Sequence, residues 1–359
     1  MMQRLGDYIR PVDVRNRNLK VERLLGLTID KAFIPSVANT IGTDLSNYKV
    51  ICENQFACSL MQVSRDGKMP VAMLKGEPGI MSPAYPMFEV SKTDELLPEY
   101  LMMWFTRSEF DREASFYAVG GVRGSLEWDD FCDMKIPVPD IKEQRNIVAE
   151  YKTLQTRIDT NKKLIAILEQ TAQTLYRHTF VDNIDPNNLP EGWRMGTLGE
   201  VCSFKYGKLP DKHLKSDEYP YPVFSGYAVT GYSDEYILEK SEIVVIARGD
   251  AGSGKVCMSP PKCFLSNLAI AAITNDEQMK YYLYYHLLNS DTMSLRSGTA
   301  QAQITINNLE PFEIVIPVKE LCVDFGEKVQ SIINCVENYN QQNQALTQMQ
   351  TLLLSKMGV

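Results

Sequence analysis

The sequence predicts an α/β (α+β) chain in which two pseudo-repeated mixed domains are separated by two long helices packed as an antiparallel coiled coil. Three observations predict it. First, a strand-like segment closing on proline occurs twice: Leu126, Trp128, Phe131, Met134, Ile136, Val138 and Pro139 match Ile304, Ile306, Leu309, Phe312, Ile314, Ile316 and Pro317 without a gap, at a constant offset of 178 residues (304 − 126). Second, each copy runs into a stripe of alternating four- and three-residue apolar steps, Ile147 to Leu175 and Phe325 to Leu353. Third, the opening Leu5-Gly6-Asp7-Tyr8 is answered by Leu198-Gly199-Glu200-Val201. The resulting boundaries are a first domain at 1–140, a first helix at 141–182, a second domain at 183–318 and a second helix at 319–359.

Within the first domain, strands are expected over Tyr48–Cys52, Phe56–Val63 and Met69–Leu74, with Arg65-Asp66-Gly67-Lys68 as a hairpin turn. Pro98 then opens a helix through Phe110, with Leu101, Met102 and Phe105 on one face. A Gly120-Gly121 loop and the strand-like closing segment complete it. The second domain repeats this order, with a strand at Ile243–Ala247, a helix at Met279–Leu288 and Gly298 in the place of Gly120. Asp182–Trp193, rich in Asp, Asn and Pro, reads as a linker.

A 3,4-spaced stripe sustained over several heptads needs a partner helix, because only a 3.5-residue period keeps one seam facing another. Each helix, from about 141 to 180 and about 319 to 357, should be roughly 60 Å long at about 1.5 Å per residue. Antiparallel pairing relates the repeats by a pseudo-twofold axis. The expected interface is Leu154, Ile158, Asn161, Ile165 and Leu168 against Val336, Tyr339, Asn343 and Leu346. A dyad between 161 and 165 sets Asn161 against Asn343, Ile158 against Leu346 and Ile165 against Tyr339.

Composition narrows the class. At 359 residues and 44% hydrophobic the chain can fill two cores besides the helices. Eight cysteines include no CxxC pair, and three histidines are scattered, so no metal cluster is expected; reduced thiols suit a cytoplasmic protein. The start, MMQRLGDYIR, has no apolar signal region, and no apolar run approaches the roughly 18 residues of a membrane span. Net charge is −8, and no segment is basic. Because phosphate neutralisation supplies most non-specific DNA affinity, the chain alone should bind DNA poorly, and a DNA reader of this charge needs a basic partner.

The LPEGW lead-in (Leu189–Trp193) before TLGEV (Thr197–Val201), the early LGDY (Leu5–Tyr8), and the closing IPVP (Ile136–Pro139) and IVIP (Ile314–Pro317) before long helices together resemble the specificity (S) subunit of a type I restriction-modification enzyme. The resemblance spans essentially the whole chain and rests on order, spacing and duplication rather than on one motif. It departs from the family in having no helical segment ahead of LGDY. The resemblance implies two target-recognition domains, each reading half of a split double-stranded DNA target. It also implies that the paired helices separate them and dock methyltransferase subunits. Those subunits carry S-adenosylmethionine, with ATP-dependent restriction subunits where the system has them. This chain is then a non-catalytic subunit with no cofactor of its own, and its partners enclose the DNA.

Candidate DNA contacts are read from residue chemistry. Gly249-Asp250-Ala251-Gly252-Ser253-Gly254-Lys255 fits GxxxxGK, but Val256 stands where a magnesium-binding Ser or Thr belongs and Pro260-Pro261 soon blocks a helix. A turn between strands and a DNA-facing loop, with Arg248 and Lys255 reaching phosphate or guanine, remain open there. In the first domain Arg65, Asp66 and Lys68 lie on the expected hairpin tip, which is either a solvated turn or a groove contact. Arg123 aligns with Gln301; Arg suits guanine and Gln suits adenine, as two different half-sites require, and a merely structural loop is the alternative. Gln303, Ser266 and Asn267 are further polar candidates, while the tyrosines of Lys280–His286 read as helix packing. No methyl-donor loop, adenine-methylation tetrapeptide or nuclease set is visible. A protein-interaction scaffold that never touches DNA and a nucleotide-hydrolysing enzyme using Gly249–Lys255 are the rival readings.

Overall fold

The computed structural model describes residues 2–38, 42–61, 63–120, 124–182, 184–209, 218–249, 252–297 and 303–358. The chain divides into two compact units, Met1–Asn161 with Gln341–Val359, and Lys162–Asn340.

In the first unit β1 (Met2–Arg4), β2 (Ile9–Pro11), β3 (Leu25–Leu27), β4 (Phe33–Pro35), β5 (Lys49–Ile51) and β6 (Phe56–Cys58) lead to the helical turn α1 (Val63–Asp66). Then come β7 (Val71–Met73), β8 (Gly79–Met81), β9 (Met87–Val90), α2 (Pro98–Phe105), α3 (Ser108–Tyr117), α4 (Trp128–Asp133), β10 (Lys135–Pro137) and α5 (Ile141–Phe180). The main sheet is antiparallel with order β2-β9-β6-β7, flanked by the pairs β3-β4 and β5-β8. Its core stacks Phe56 on Phe88 at 5.0 Å and seats both against Phe105. Val148 of α5 packs on the same core, as does Met357 near the chain's end.

The second unit contains β11 (Arg194–Thr197), α6 (Leu198–Val201), β12 (Cys202–Tyr206), β13 (Tyr221–Phe224), β14 (Val229–Ser233), β15 (Ile243–Ile246), β16 (Val256–Met258), β17 (Phe264–Leu265) and β18 (Ala269–Thr274). They are followed by α7 (Lys280–Leu288), α8 (Ile306–Leu309), β19 (Glu313–Ile316) and α9 (Lys319–Lys356). The main sheet runs β12-β18-β15-β16, the same first-last-second-third order as in the first unit, beside a smaller sheet β14-β13-β17. The unbroken apolar run of β15 follows from burial on both faces: Ile243 and Val245 join one core, Val244 another.

The duplication reaches individual bonds. β1 pairs antiparallel with β10, and β11 with β19, so each unit's opening strand is clasped by its closing strand. Leu5 N–H donates to Met134 C=O at 2.8 Å and Leu198 N–H donates to Phe312 C=O at 2.9 Å. The glycine of each LG pair has a steric cause: a Cβ on Gly6 would lie 3.2 Å from the Cys132 carbonyl oxygen, and one on Gly199 would lie 3.1 Å from that of Glu310. Each of these partner pairs is 178 residues apart (312 − 134, 310 − 132).

Four expectations are corrected. The β6–β7 connection holds α1, a helical turn closed by Gly67 N–H on Val63 C=O at 3.0 Å, rather than a tight hairpin turn at Arg65–Lys68. The strands expected over Phe56–Val63 and Met69–Leu74 are shorter, Phe56–Cys58 and Val71–Met73. The helix after Pro98 breaks at Thr106-Arg107, where the Thr106 hydroxyl donates to Met103 C=O at 2.7 Å and Arg107 turns extended, its guanidinium over the Trp104 ring at 4.1 Å. The closing segment is a helix before it is a strand. Alternating apolar residues there serve α4 and α8, whose buried Phe131 and Leu309 point into the two cores.

Candidate nucleic-acid interface and helix seam

Backbone accounting shows what the framework presents. After its second main-sheet strand each unit's chain is held by the loop entering the closing segment: Leu126 N–H donates to Leu60 C=O, and Ile304 N–H donates to Ala247 C=O, both at 2.9 Å. Leu126 and Ile304 are repeat equivalents. Two segments chosen from sequence are thus brought together in each domain. In the first, Ser64 Oγ donates to Gly124 C=O at 3.4 Å, so the α1 turn with Arg65 and Asp66 abuts Gly124, the residue that follows Arg123 in sequence. In the second, Arg296 Nε donates to Ser253 C=O at 3.1 Å and Thr292 Oγ1 donates to Gly254 C=O, fastening the Gly249–Lys255 turn to the segment that leads to Gln303.

The individual side chains differ in readiness. Arg65 is exposed and donates to its neighbour Asp66 at 2.6 and 3.1 Å, which holds the Asp66 carboxyl below its usual range. Arg65 must leave Asp66 to reach phosphate. Lys68 lies 3.7 Å from Asp30. Arg248 and Lys255 are exposed, and neither side chain has a hydrogen-bond or ion-pair partner among the described residues. Gln303 is half-buried, its backbone pairing with Ser297 at 2.9 and 3.0 Å. Arg123 and Gln301 lie outside the described residues. Ser266 is buried, and its hydroxyl accepts from Leu268 N–H at 3.4 Å, closing its own turn; Asn267 beside it is half-buried.

Sequence reasoning missed Tyr227. Its half-exposed ring lies against the backbone of Gly252, where an added Cβ would fall 1.4 Å from the tyrosine oxygen. Gly252 is therefore a packing glycine beneath an aromatic ring, and strand β16 rather than a helix follows Lys255, which removes the helix N-terminus a phosphate loop needs. The Lys280–His286 tyrosines pack inward, with Tyr282 and Tyr285 buried against Tyr176 and Phe325. His286 meets the Tyr176 hydroxyl at 3.0 Å through Nδ1, and burial pulls its pKa down to about 4.

Residues of the two stripes meet within the first unit. In the first unit Asn161 Nδ2 donates to Asn343 Oδ1 at 3.0 Å, and Gln350 donates to Gln155 at 3.1 Å, so numbers rise along α5 as they fall along α9 and the helices run antiparallel there. Ile158 is buried; Leu154 and Leu346 are half-buried. In the second unit Ile165, Leu168, Val336 and Tyr339 are half-buried, and Phe180 meets Phe325 at 5.2 Å. Outside the first unit's seam, Ala149, Leu154, Met349, Leu352 and Leu353 line an apolar groove. Among the described residues no group of three or more potential metal ligands converges, and no helix is long and apolar enough to cross a membrane.

Comparison with known proteins agrees with this geometry. The family described as type I restriction modification DNA specificity domain matches residues 190–348. The MjaIX type I restriction enzyme specificity subunit of Methanocaldococcus jannaschii is 23% identical over 305 residues, spanning 74% of this chain and 69% of the relative. The HindI specificity subunit of Haemophilus influenzae is 23% identical over 356 residues, spanning 73% and 77%. The crystal structure of a type I restriction-modification S subunit from M. genitalium shares the fold at a TM-score of 0.64 and 15% identity, covering 99% of this chain and 95% of that one. A chain from a structural study of type I complex assembly and conformational transition aligns at a TM-score of 0.51 and 18% identity, covering 99% and 97%. With its matched second repeat, a first repeat built on the same bonds, and a fold shared along nearly its whole length, the chain is similar in both repeats to the type I restriction-modification DNA specificity subunits.

Proposed function

We propose that this chain reads a split double-stranded DNA target, one half per repeat, and positions methyltransferase subunits on it. The first target-recognition domain covers 1–140 and the second 183–318, with the α5–α9 pair between them as an antiparallel coiled coil that sets the spacing of the half-sites. The observation that carries the reading is a duplicated framework with unlike loops. The bonds at Leu126 and Ile304 are the same, while the turns they hold carry Arg65 and Lys68 in one domain and Arg248 and Lys255 in the other. One framework with two sets of contacts is what reading two different half-sites needs.

The charge of −8 supports a phosphate clamp supplied by partners. Methyltransferase subunits that hold S-adenosylmethionine dock on the helices, for which the apolar groove at Leu154 and Leu352 is a suitable face, and ATP-dependent restriction subunits join where the system encodes them. The assembly works in the cytoplasm. The test is a binding titration on duplexes that do and do not contain the methylated motif. The isolated chain should bind both weakly and lose binding with salt, and adding the methyltransferase subunits should confer preference for the motif. Tight, motif-specific binding by the chain alone overturns the shared-clamp reading.

A further inference from the structure

The two repeats share their framework and part company at one surface. At the end of α3, Ala114 and Ala118 are fully buried and fasten the chain to the core, and Ser115 Oγ donates to Val63 C=O at 3.4 Å. Between and beyond these anchors Phe116 is 74% exposed, Tyr117 45% and Val119 76%, and the Phe116 and Tyr117 rings meet edge to face at 5.7 Å. Met61, just ahead of α1, is 59% exposed. The residues 178 positions later are Ser294, Leu295, Arg296 and Ser297, and there Arg296 turns inward onto Ser253 C=O. The second domain therefore has no exposed aromatic pair at this place, and its Leu295 packs on the core instead. The exposure of Phe116 and Tyr117 to water is unfavourable, in a domain that buries its other phenylalanines well.

The position says what covers them. The Phe116–Tyr117 pair flanks the α1 turn and the Gly124 loop, the two segments on which the first domain's candidate contacts lie. Arg112 lies one helical turn before Phe116 on α3, and Arg65 and Lys68 belong to the α1 turn and the residues just after it, each with an acidic neighbour in the free chain. Exposed aromatic faces next to the α1 turn that carries Arg65 suit a ligand that offers π surfaces framed by phosphates, and every base does so once its step is opened.

We infer that Phe116 and Tyr117 form an aromatic wedge that stacks on bases of the first half-site at an opened step. The inference rests on the DNA-recognition reading and adds a contact that has no counterpart in the second domain. The test uses the assembled complex with its methyltransferase subunits and duplexes carrying 2-aminopurine at successive positions of the mapped motif. With the native chain, emission should rise at one step of the first half-site and at none of the second on that account. Phe116→Ser and Val119→Ser, both at exposed positions, should fold and assemble normally. Phe116→Ser should abolish the rise and weaken binding about tenfold, the scale of one lost base–aromatic stack, without changing the salt dependence. Native emission with unchanged affinity in Phe116→Ser overturns the inference. So does failure of that variant to assemble with the methyltransferase subunits, which makes the patch a protein-docking surface. If the native complex shows no preference for any motif, the recognition reading itself falls, and the wedge with it.

Discussion

Asn161 and Asn343 face each other across the α5–α9 seam, with Asn161 Nδ2 donating to Asn343 Oδ1 at 3.0 Å. Asn161 is fully buried, and its own Oδ1 has no donor among the described residues. A polar pair in an apolar stripe lowers stability and penalises every other register. Replacing both, Asn161→Leu with Asn343→Leu, should raise the melting temperature by a few degrees and broaden the spacing of the methylated motif. Replacing Asn161 alone should destabilise by about 1–2 kcal/mol, because Asn343 then loses its donor. A lower melting temperature in the double variant, or one unaltered motif spacing, contradicts the register-lock role.

Gln144, fully buried at the start of α5, donates to the carbonyls of Glu95 and Pro139 at 2.7 and 2.9 Å and accepts from Leu97 N–H at 2.9 Å. Gln144→Leu leaves three backbone groups without this partner and should cost about 3 kcal/mol, read by denaturant unfolding. A loss under about 1 kcal/mol would show that water takes over these bonds.

His286 gives the second unit an acid sensitivity of known sign. Its folded pKa of about 4 lies below the unfolded value of roughly 6.5. Its contribution is therefore fully present above about pH 6.5 and is lost as the pH falls toward 4, by up to about 3 kcal/mol. Stability measured against pH should fall more steeply through that window for the native chain than for His286→Gln. Parallel curves would assign the sensitivity to other groups.

Gly252→Ala should displace Tyr227 from the turn, since the new Cβ would fall 1.4–2.2 Å from the hydroxyl end of that half-exposed side chain. In the assembled complex, discrimination at the second half-site should weaken while the first is kept. Equal loss at both halves would mean that the damage is global.

What could be read in sequence was what periodicity and duplication record. The stripes from Ile147 and Phe325 marked both helices to within a few residues of Ile141–Phe180 and Lys319–Lys356, and the offset that aligned Leu126 with Ile304 also placed Asn161 opposite Asn343. The first-last-second-third strand order leaves no local trace, because it depends on which edges meet after collapse. The α1 turn was missed because SRDGK has hairpin chemistry, whereas its helical form is held by distant groups, Gly124 and Ser115. The burial of Ser266 in its own turn left no trace either, since a polar residue beside an asparagine gives no sign of burial. Tyr227 carried no signal, since its partner Gly252 is a contact across the fold.

The central claim, one half-site per repeat, is tested most directly by mapping DNA methylation genome-wide after exchanging residues 186–317 for the corresponding domain of another family member. The framework bonds at Leu198, Ile304 and Phe312 predict that the exchanged domain docks as the native one does. One half of the methylated motif should change, while the other half and the spacing stay as they were. A change in both halves, or in the spacing, would contradict the account.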